Sequence, residues 1–226
     1  KAARIGGSTV RKEAWSRFRW FELDAIKSVW KLIRSPGGFA RDYVLGKRSA
    51  QMHPLGLLLL MIGALVVLLG ETQYLVPTLA SEEAQRMFAL VREYSKWSFS
   101  LGIIAIYASA MLVFRKRLGY NATEILALAV YIHAVCIALQ IVNQLPLLVW
   151  RAPEVLQWHR KWSPWTMGVA QTLIVVFAFR QFFRVTRWRE VWKLVLAGGL
   201  FIAAKWGVQQ LYARAVVEIV HWQMGL

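Results

Sequence analysis

The segment that most constrains the fold is an uncharged apolar run, LGLLLLMIGALVVLLG, at residues 55–70. A helix needs about 20 residues to cross the hydrocarbon layer of a bilayer, and this run, between Pro54 and Glu71, covers most of that distance. Hydrophobic residues make up 58% of the 226-residue chain, above the ~45–50% that is usual in soluble domains. The sequence therefore predicts an integral membrane protein.

Further apolar stretches predict an all-α bundle of about five transmembrane helices. The spans are expected at about 55–70, 98–114, 125–149, 165–183 and 194–220, so that residues 54–226 form the bundle. Pro146 is expected to kink the last turn of the third span. Two stripes of small residues predict close helix packing: Gly56, Gly63 and Gly70 in the first span, and Ser98, Gly102, Ala105 and Ser109 in the second.

Residues 1–53 read as a basic cytoplasmic segment that precedes the bundle. Apolar residues recur every three or four positions over residues 12–34, with Lys and Arg between them, which predicts a cationic amphipathic helix at the bilayer interface. The alternative is that its apolar stripe packs on the protein's own cytoplasmic side. Residues 35–38 are expected to break this helix, and a short helix should follow from Phe39 to Leu45, with Gly46 as its cap.

The distribution of positive charge predicts the orientation. Of the 28 Lys and Arg residues, 20 fall in the amino-terminal segment, the 115–124 loop and the 180–193 loop, and 7 fall on the opposite side. By the positive-inside rule, the amino terminus is expected in the cytoplasm of a bacterial inner membrane. Five crossings then place the carboxyl terminus in the periplasm.

The stretch PGGFARDYVLGKR at residues 36–48 resembles the P-G-x-x-x-R-x-Y-x-x-G-K-R signature of an uncharacterised bacterial family of multi-span membrane proteins, a domain of unknown function. YNATE at 120–124 is similar to that family's aromatic-x-x-x-Glu start of its third span, and YIH at 131–133 falls in its aromatic-rich segment. The resemblance covers most of residues 15–205 and implies the multi-span architecture, with no agreed activity. Members often begin with a zinc ribbon of CxxC pairs. With Cys136 as its single cysteine, this chain either had the ribbon upstream of Lys1 or lacks it.

Polar side chains within the spans are candidate functional residues, because a charge at the bilayer centre costs about 2.5–3.5 kcal/mol on insertion scales. His133, Gln140 and Gln144 share one face of the third span. One hypothesis is a polar pocket between spans three, four and five, in which His133 responds to protons and Lys205 binds an anionic group. The other is that these groups only hydrogen-bond across helices and fix the bundle. The full set is Glu124, His133, Gln140, Gln144, Gln171, Lys205 and Gln209.

Cations on the predicted cytoplasmic side form a second candidate site. They could bind a phospholipid head group or an acidic partner, or could serve only topology by extending toward the head groups. The formal charge of +16 does not indicate nucleic acid here, because the basic residues flank apolar spans. The set is Arg41, Lys47, Arg48, Arg115, Lys116, Arg117, Arg180, Arg184 and Arg187.

No catalytic residue, metal or cofactor is predicted. The sequence has no GxxxxGK[ST] loop, HExxH motif or evident carboxylate pair, and His53, His159 and His221 fall near span ends, so His133 has no evident partner for haem. The leading prediction is a non-enzymatic accessory or scaffold subunit that binds anionic lipid and a membrane-protein partner, either another copy or a different protein. The alternative is a small transporter or channel for a lipid-like or anionic solute, through the pocket around His133 and Lys205.

Overall fold

The computed structural model describes residues 29–47, 51–72, 74, 90, 94, 98–115, 117, 119–150 and 152–224. Within these ranges the chain is helical and contains no strand, which confirms the all-α prediction for the described part. Its α-helices are α1 (Pro36–Val44), α2 (Pro54–Glu71), α3 (Leu101–Phe114), α4 (Ala122–Gln144), α5 (Pro153–Phe182) and α6 (Val191–Met224). Short 3-10 helices follow α4 (Leu145–Leu148) and precede α6 (Trp188–Glu190).

Four helical stretches of the described chain are long and apolar enough to span a bilayer, so the chain has the architecture of a multi-pass membrane protein. They are Pro54–Glu71, Ala122–Leu148, Pro153–Phe182 and Trp188–Gln223. The predicted span at 98–114 is not a helix of full spanning length. Its helix α3 has 14 residues, or about 21 Å, because Phe99 and Ser100 form a turn after the helical Ser98.

The last two helices are longer than the spans predicted for them. Helix α5 begins at Pro153 rather than near residue 165 and has 30 residues, and α6 has 34. At 1.5 Å per residue, α5 is about 45 Å long, which exceeds a hydrocarbon layer of about 30 Å. Pro153 lies in the first turn of α5, where a backbone N–H would have no partner within the helix, so its missing N–H costs no hydrogen bond. Pro164 is accommodated inside the helix. The apolar pattern predicted only the second part of α5, because its first turns carry polar and charged residues.

Helix α4 lies at the centre of the bundle, where it contacts α1, α2, α3 and α5, while α6 packs on α3 and α5. Its start is fixed by a capping box. The Asn121 side chain accepts from the Glu124 amide at 2.9 Å, and the Glu124 carboxylate accepts from the Asn121 amide at 2.8 Å. At its other end the α-helix changes to a 3-10 turn around Pro146, in agreement with the predicted distortion of the last turn.

Helix α1 belongs to the same core as the bundle. Phe39 and Ala40 are buried, and the ring centroid of Phe39 lies 5.1 Å from that of Tyr131 on α4. The Gln181 side chain of α5 accepts a hydrogen bond from the Gly37 amide at 3.0 Å, which pairs one of the amino-terminal N–H groups that a helix leaves unsatisfied. The short helix is thus confirmed, although it begins at Pro36.

The break before α1 is limited to Ser35, because residues 36–38 of the predicted break are helical, whereas the cap after α1 follows the prediction. Ser35 interrupts the helical path, and Gly46 has a φ of 102°, a left-handed conformation that suits glycine at a helix end. Of the predicted amphipathic helix at 12–34, only residues 29–34 lie within the described part, and they are helical. Leu32 is buried there, whereas Trp30 and Ile33 are exposed.

The two predicted small-residue stripes have different outcomes. A Cβ atom added at Gly102 would collide with the imidazole of His133, so α3 does approach α4 closely at that point. Gly56, Gly63 and Gly70, in contrast, have no described residue where a side chain would lie, so no described helix of this chain packs closely against them. Their seven-residue spacing places them on one face of α2, but that face is exposed.

The described basic loops meet at one end of the bundle, here called the basic end and defined by Arg115, Arg117 and residues 183–190. Arg117 donates from Nε to the Phe183 carbonyl at 2.7 Å, from one Nη to the Arg184 carbonyl at 3.1 Å and from the other to the Glu190 carboxylate at 2.7 Å. Helix α6 starts here and runs away from it, so its carboxyl end lies at the opposite end.

The fit of α1 against α5 generates a prediction. Gly37→Ala should lower the free energy of unfolding in detergent by about 1–3 kcal/mol, because its Cβ would collide with the Ala178 carbonyl and lie 2.8 Å from the Gln181 Cβ. Gly63→Ala is the matched control and should be neutral or slightly stabilising, because the helix gains alanine in open space. Thermal unfolding of the purified protein measures both, and equal behaviour of the two variants would contradict the packing of α1 on α5.

Candidate functional site

A polar cavity of about 360 Å³ lies between α3, α4, α5 and α6. Six of the seven polar residues singled out in the predicted spans line it, which are His133, Gln140, Gln144, Gln171, Lys205 and Gln209. Its volume falls in the range of small-molecule sites, about 300–1,000 Å³. The shared face predicted for the third span therefore does open onto α5 and α6.

The inner part of the cavity lies about halfway along α4, a level here called mid-depth. His133 is about 17 Å along α4 from the basic end, and Lys205 is about 21 Å along α6, by the helical rise of 1.5 Å per residue. Gln171 lies at a similar level, about 17 Å from the basic end of α5. From there the cavity extends to Gln144, the last residue of α4. It therefore connects mid-depth with the end of the bundle away from the basic loops.

A helix break borders the cavity at this depth. Phe99, in the turn before α3, and Gly102, in the first turn of α3, both line it. A His133 ring nitrogen is hydrogen-bonded to the Phe99 carbonyl. In hydrocarbon, backbone that leaves the helix needs such a partner, and it is tolerated where it lines a cavity. The absent side chain of Gly102 makes room for the imidazole.

Lys205 is the cationic side chain of the cavity, and no Asp or Glu is among the lining residues. Its ammonium donates to the Gln171 side-chain oxygen and lies 6.0 Å from the centroid of the Phe201 ring. None of the ion pairs between described residues includes it. A cation at this depth is costly without an anionic partner, so the cavity is electrostatically suited to an anion.

Gln144 adds an unused polar atom. The residue is 2% exposed, and its side-chain oxygen has no hydrogen-bond partner among the described residues. A buried amide oxygen left unpaired costs free energy that a bound donor recovers. The cavity thus offers a cation at mid-depth and a hydrogen-bond acceptor toward its other end.

A hydrogen-bonded cluster borders this second end. Asn143 donates to the Ser163 hydroxyl at 2.7 Å and lies 3.0 Å from a ring nitrogen of His159. The other ring nitrogen of His159 lies 3.1 Å from the Tyr74 hydroxyl, and Arg160 donates to the Tyr74 carbonyl. Burial raises the pKa of the Tyr74 phenol, which therefore stays protonated and able to donate. The cluster ties the chain beyond α2 to α4 and α5, and Tyr74 and Ser163 line the cavity.

Sequence reasoning missed this cluster. The sequence places His159 only at a span end, yet it is 8% exposed and makes two of these contacts, and its Nε2 also lies 3.0 Å from the Asn143 carbonyl. The signal was weak but present: His159 and Ser163 are four residues apart and share one face of a helix, provided that α5 starts before them. Tyr74 lies outside the helices, and no periodicity marks it.

Glu124 is the predicted span residue that lies apart from the cavity. Its carboxylate accepts from the Asn121 amide in the capping box at the start of α4, and it borders a separate groove with Tyr43 and His53. Glu124 and His133 are nine positions apart on α4, which separates their levels by about 13 Å.

The predicted basic residues that the structure describes differ in their surroundings. Arg117 is engaged with the 183–190 segment, and Lys47 lies 3.2 Å from the Asp42 carboxylate. Burial favours a higher pKa for Asp42, but hydrogen bonds from Lys47 and Lys31 outweigh it and hold that pKa below its ordinary value. Arg41 is half-buried on α1, and its Nε has no hydrogen-bond partner in the described part of the chain. Arg115, Arg180, Arg184 and Arg187 are exposed, and Arg48 and Lys116 lie outside the described residues.

Comparisons with known proteins support an uncharacterised family and give no activity. Residues 26–66, which include α1 and most of α2, match a family described as "Protein of unknown function (DUF3667)". This match coincides with the segment that carries the 36–48 signature. No curated protein and no solved structure matches the chain. Among the described residues, no group of His, Cys, Asp and Glu is arranged to hold a metal ion.

The cluster around His159 generates a prediction. Asn143→Ala should lower the free energy of unfolding in detergent by about 1 kcal/mol, the order found for hydrogen bonds between membrane helices, because two cross-helix contacts are lost. Gln210→Ala, which removes an exposed amide on α6, is the control and should leave stability unchanged. Indistinguishable unfolding temperatures for the two variants would argue against a structural role for the cluster.

Proposed function

We propose that this protein binds a small anionic solute in the mid-depth cavity and carries it across the bilayer, as a transporter or channel. The observation that carries the proposal is the charge of the cavity: Lys205 lies at mid-depth, with no carboxylate among the lining residues. An anion bound there would supply the missing opposite charge. The amides and the unpaired Gln144 oxygen would orient its polar groups.

The helix break at Phe99–Ser100 supports transport over simple binding. Transporter sites commonly lie near the bilayer midplane beside discontinuous helices, whose amino ends favour anionic groups. Here α3 begins at the level of the cavity, with Gly102 in its wall.

A barrier between the cavity and the basic end fits the same proposal. The rings of Phe114 and Phe183 are stacked 4.4 Å apart, and the Phe179 ring lies edge-on to Phe114 at 5.8 Å. All three side chains are buried. A cavity that reaches one end and is closed by aromatic packing toward the other corresponds to one side of an alternating-access cycle. A movement of α5 against α4 or α6 would open the cavity toward the basic end and so produce the opposite conformation of the cycle.

A non-enzymatic accessory or scaffold subunit is the second candidate. It is favoured by the exposed cations at the basic end, including Arg180, Arg184 and Arg187, and by the exposed glycine face of α2. That face is free of contacts with described parts of this chain and could take another copy or a different membrane protein. The buried polar cavity is the feature that this candidate leaves unexplained.

The proposal also includes the setting of the protein. We assign it to a bacterial inner membrane, with the basic end in the cytoplasm and the carboxyl end of α6 in the periplasm, because positive loops are retained inside. The resemblance to bacterial proteins that often carry a zinc ribbon before the first span supports the bacterial assignment.

Anion-dependent stabilisation tests the cavity. We expect inorganic phosphate or acetate to raise the unfolding temperature of the detergent-solubilised protein above the effect of glycerol or acetamide, because ligands that bind the folded state stabilise it. Lys205→Met should abolish the difference, whereas Lys161→Met, at an exposed site outside the cavity, should preserve it. The proposal fails if Lys205→Met retains the anion effect or if the neutral compounds stabilise equally. In proteoliposomes, flux of the stabilising anion that persists in Lys205→Met would likewise exclude this route.

The orientation has its own test. A cysteine replacing Gln223 should react with a membrane-impermeant maleimide in intact spheroplasts, and one replacing Arg187 should react only after lysis. Both positions are exposed, and the native Cys136 is buried and provides a low background. Labelling of Arg187→Cys before lysis, together with protection of Gln223→Cys, would show the opposite orientation.

A further inference from the structure

A second, apolar groove runs between α5 and α6 near the basic end, with a volume of about 700 Å³. Its walls carry exposed apolar side chains of both helices, including Leu173, Phe177 and Val195. Arg180, Thr186 and Trp188 line its outer end, near the turn between the two helices. The groove does not share a lining residue with the polar cavity.

The charge around the outer end is positive. Arg180 is exposed and forms no ion pair with a described residue. The acid nearest in sequence, Glu190, is bound by Arg117 at 2.7 Å and lies 3.7 Å from Lys193. Arg184 and Arg187 are exposed on the same turn. The negative charge of the turn is therefore neutralised, and the cations beside the groove are left to act on a ligand.

The position of this charge matches the interface of a membrane. Arg180 is two residues from the end of α5, and Trp188, which is 86% exposed, precedes α6. Tryptophan and arginine favour the head-group level, where a ring or a stem meets hydrocarbon and the polar tip meets water. Below them the groove is apolar. A ligand complementary to both parts has a hydrocarbon chain and an anionic head.

We propose that the α5–α6 groove binds an anionic phospholipid, with one acyl chain along Leu173, Phe177 and Val195 and the phosphate at Arg180. A soluble anion would leave the apolar walls uncovered, and a zwitterionic lipid would add a positive group among the arginines. The ion pair of Arg117 with Glu190, together with its bonds to the Phe183 and Arg184 carbonyls, fixes the turn that carries the head-group contacts. This site is independent of the proposed solute cavity.

Lipid retention tests the proposal. The detergent-solubilised protein is equilibrated with equal amounts of phosphatidylglycerol and phosphatidylcholine of the same acyl chains, and bound lipid is counted by native mass spectrometry. We expect preferential retention of phosphatidylglycerol. Arg180→Gln should reduce this preference by about tenfold or more, since a charge-assisted hydrogen bond is worth about 1.5–3 kcal/mol. Val195→Trp should reduce retention of both lipids by filling the groove.

Arg115→Gln is the matched control, because Arg115 is an exposed arginine of the same end that does not line the groove. It should retain the preference. Equal retention of the two lipids by the unmodified protein, or an equal loss in Arg115→Gln and Arg180→Gln, would overturn the site in favour of diffuse charge attraction. Unchanged lipid retention in Val195→Trp would show that the acyl chain does not lie in the groove. Arg180 and Val195 are exposed, so both variants are expected to fold, and unfolding temperatures verify this.

Discussion

The contact between Gly102 and the imidazole of His133 is the constraint on which the interior of this protein depends. Because residue 102 has no side chain, the ring of His133 lies against α3 and reaches the carbonyl of Phe99. That bond supports a turn at a depth where unpaired backbone would be costly. The same turn starts α3 at mid-depth and opens the space beside Lys205. A larger residue at position 102 would displace the ring, the turn and the wall of the cavity together.

The sequence predicted most reliably what depends on hydrophobic periodicity. The first span was placed within one residue at each end, and the shared face of His133, Gln140 and Gln144 follows from the geometry of a single helix. Such a pattern shows which residues share a face but not what covers that face. For this reason Gly102 lies against α4, whereas the glycines of α2 lie against no described helix.

Other features depended on contacts that the sequence does not encode locally. Phe99–Ser100 contains neither Pro nor Gly, so nothing marked it as a break. Hydropathy underestimated the length of α5 because its first turns carry charged residues. The sequence therefore did not indicate that His159 lies on this helix and contacts Asn143. Arg117 was grouped with exposed cations because its three acceptors lie 66 to 73 residues away.

The length of α6 has a consequence for the surrounding lipid. With 34 residues, this helix measures about 51 Å, some 20 Å more than an average hydrocarbon layer. It must therefore lean strongly or project into water, and its far portion carries the exposed Arg214 and Glu218, which favour projection. A thicker membrane would cover more of that portion, at a cost of fractions of a kcal/mol per Å of mismatch. Bilayer thickness thus acts on the same helix that contributes Lys205 to the cavity.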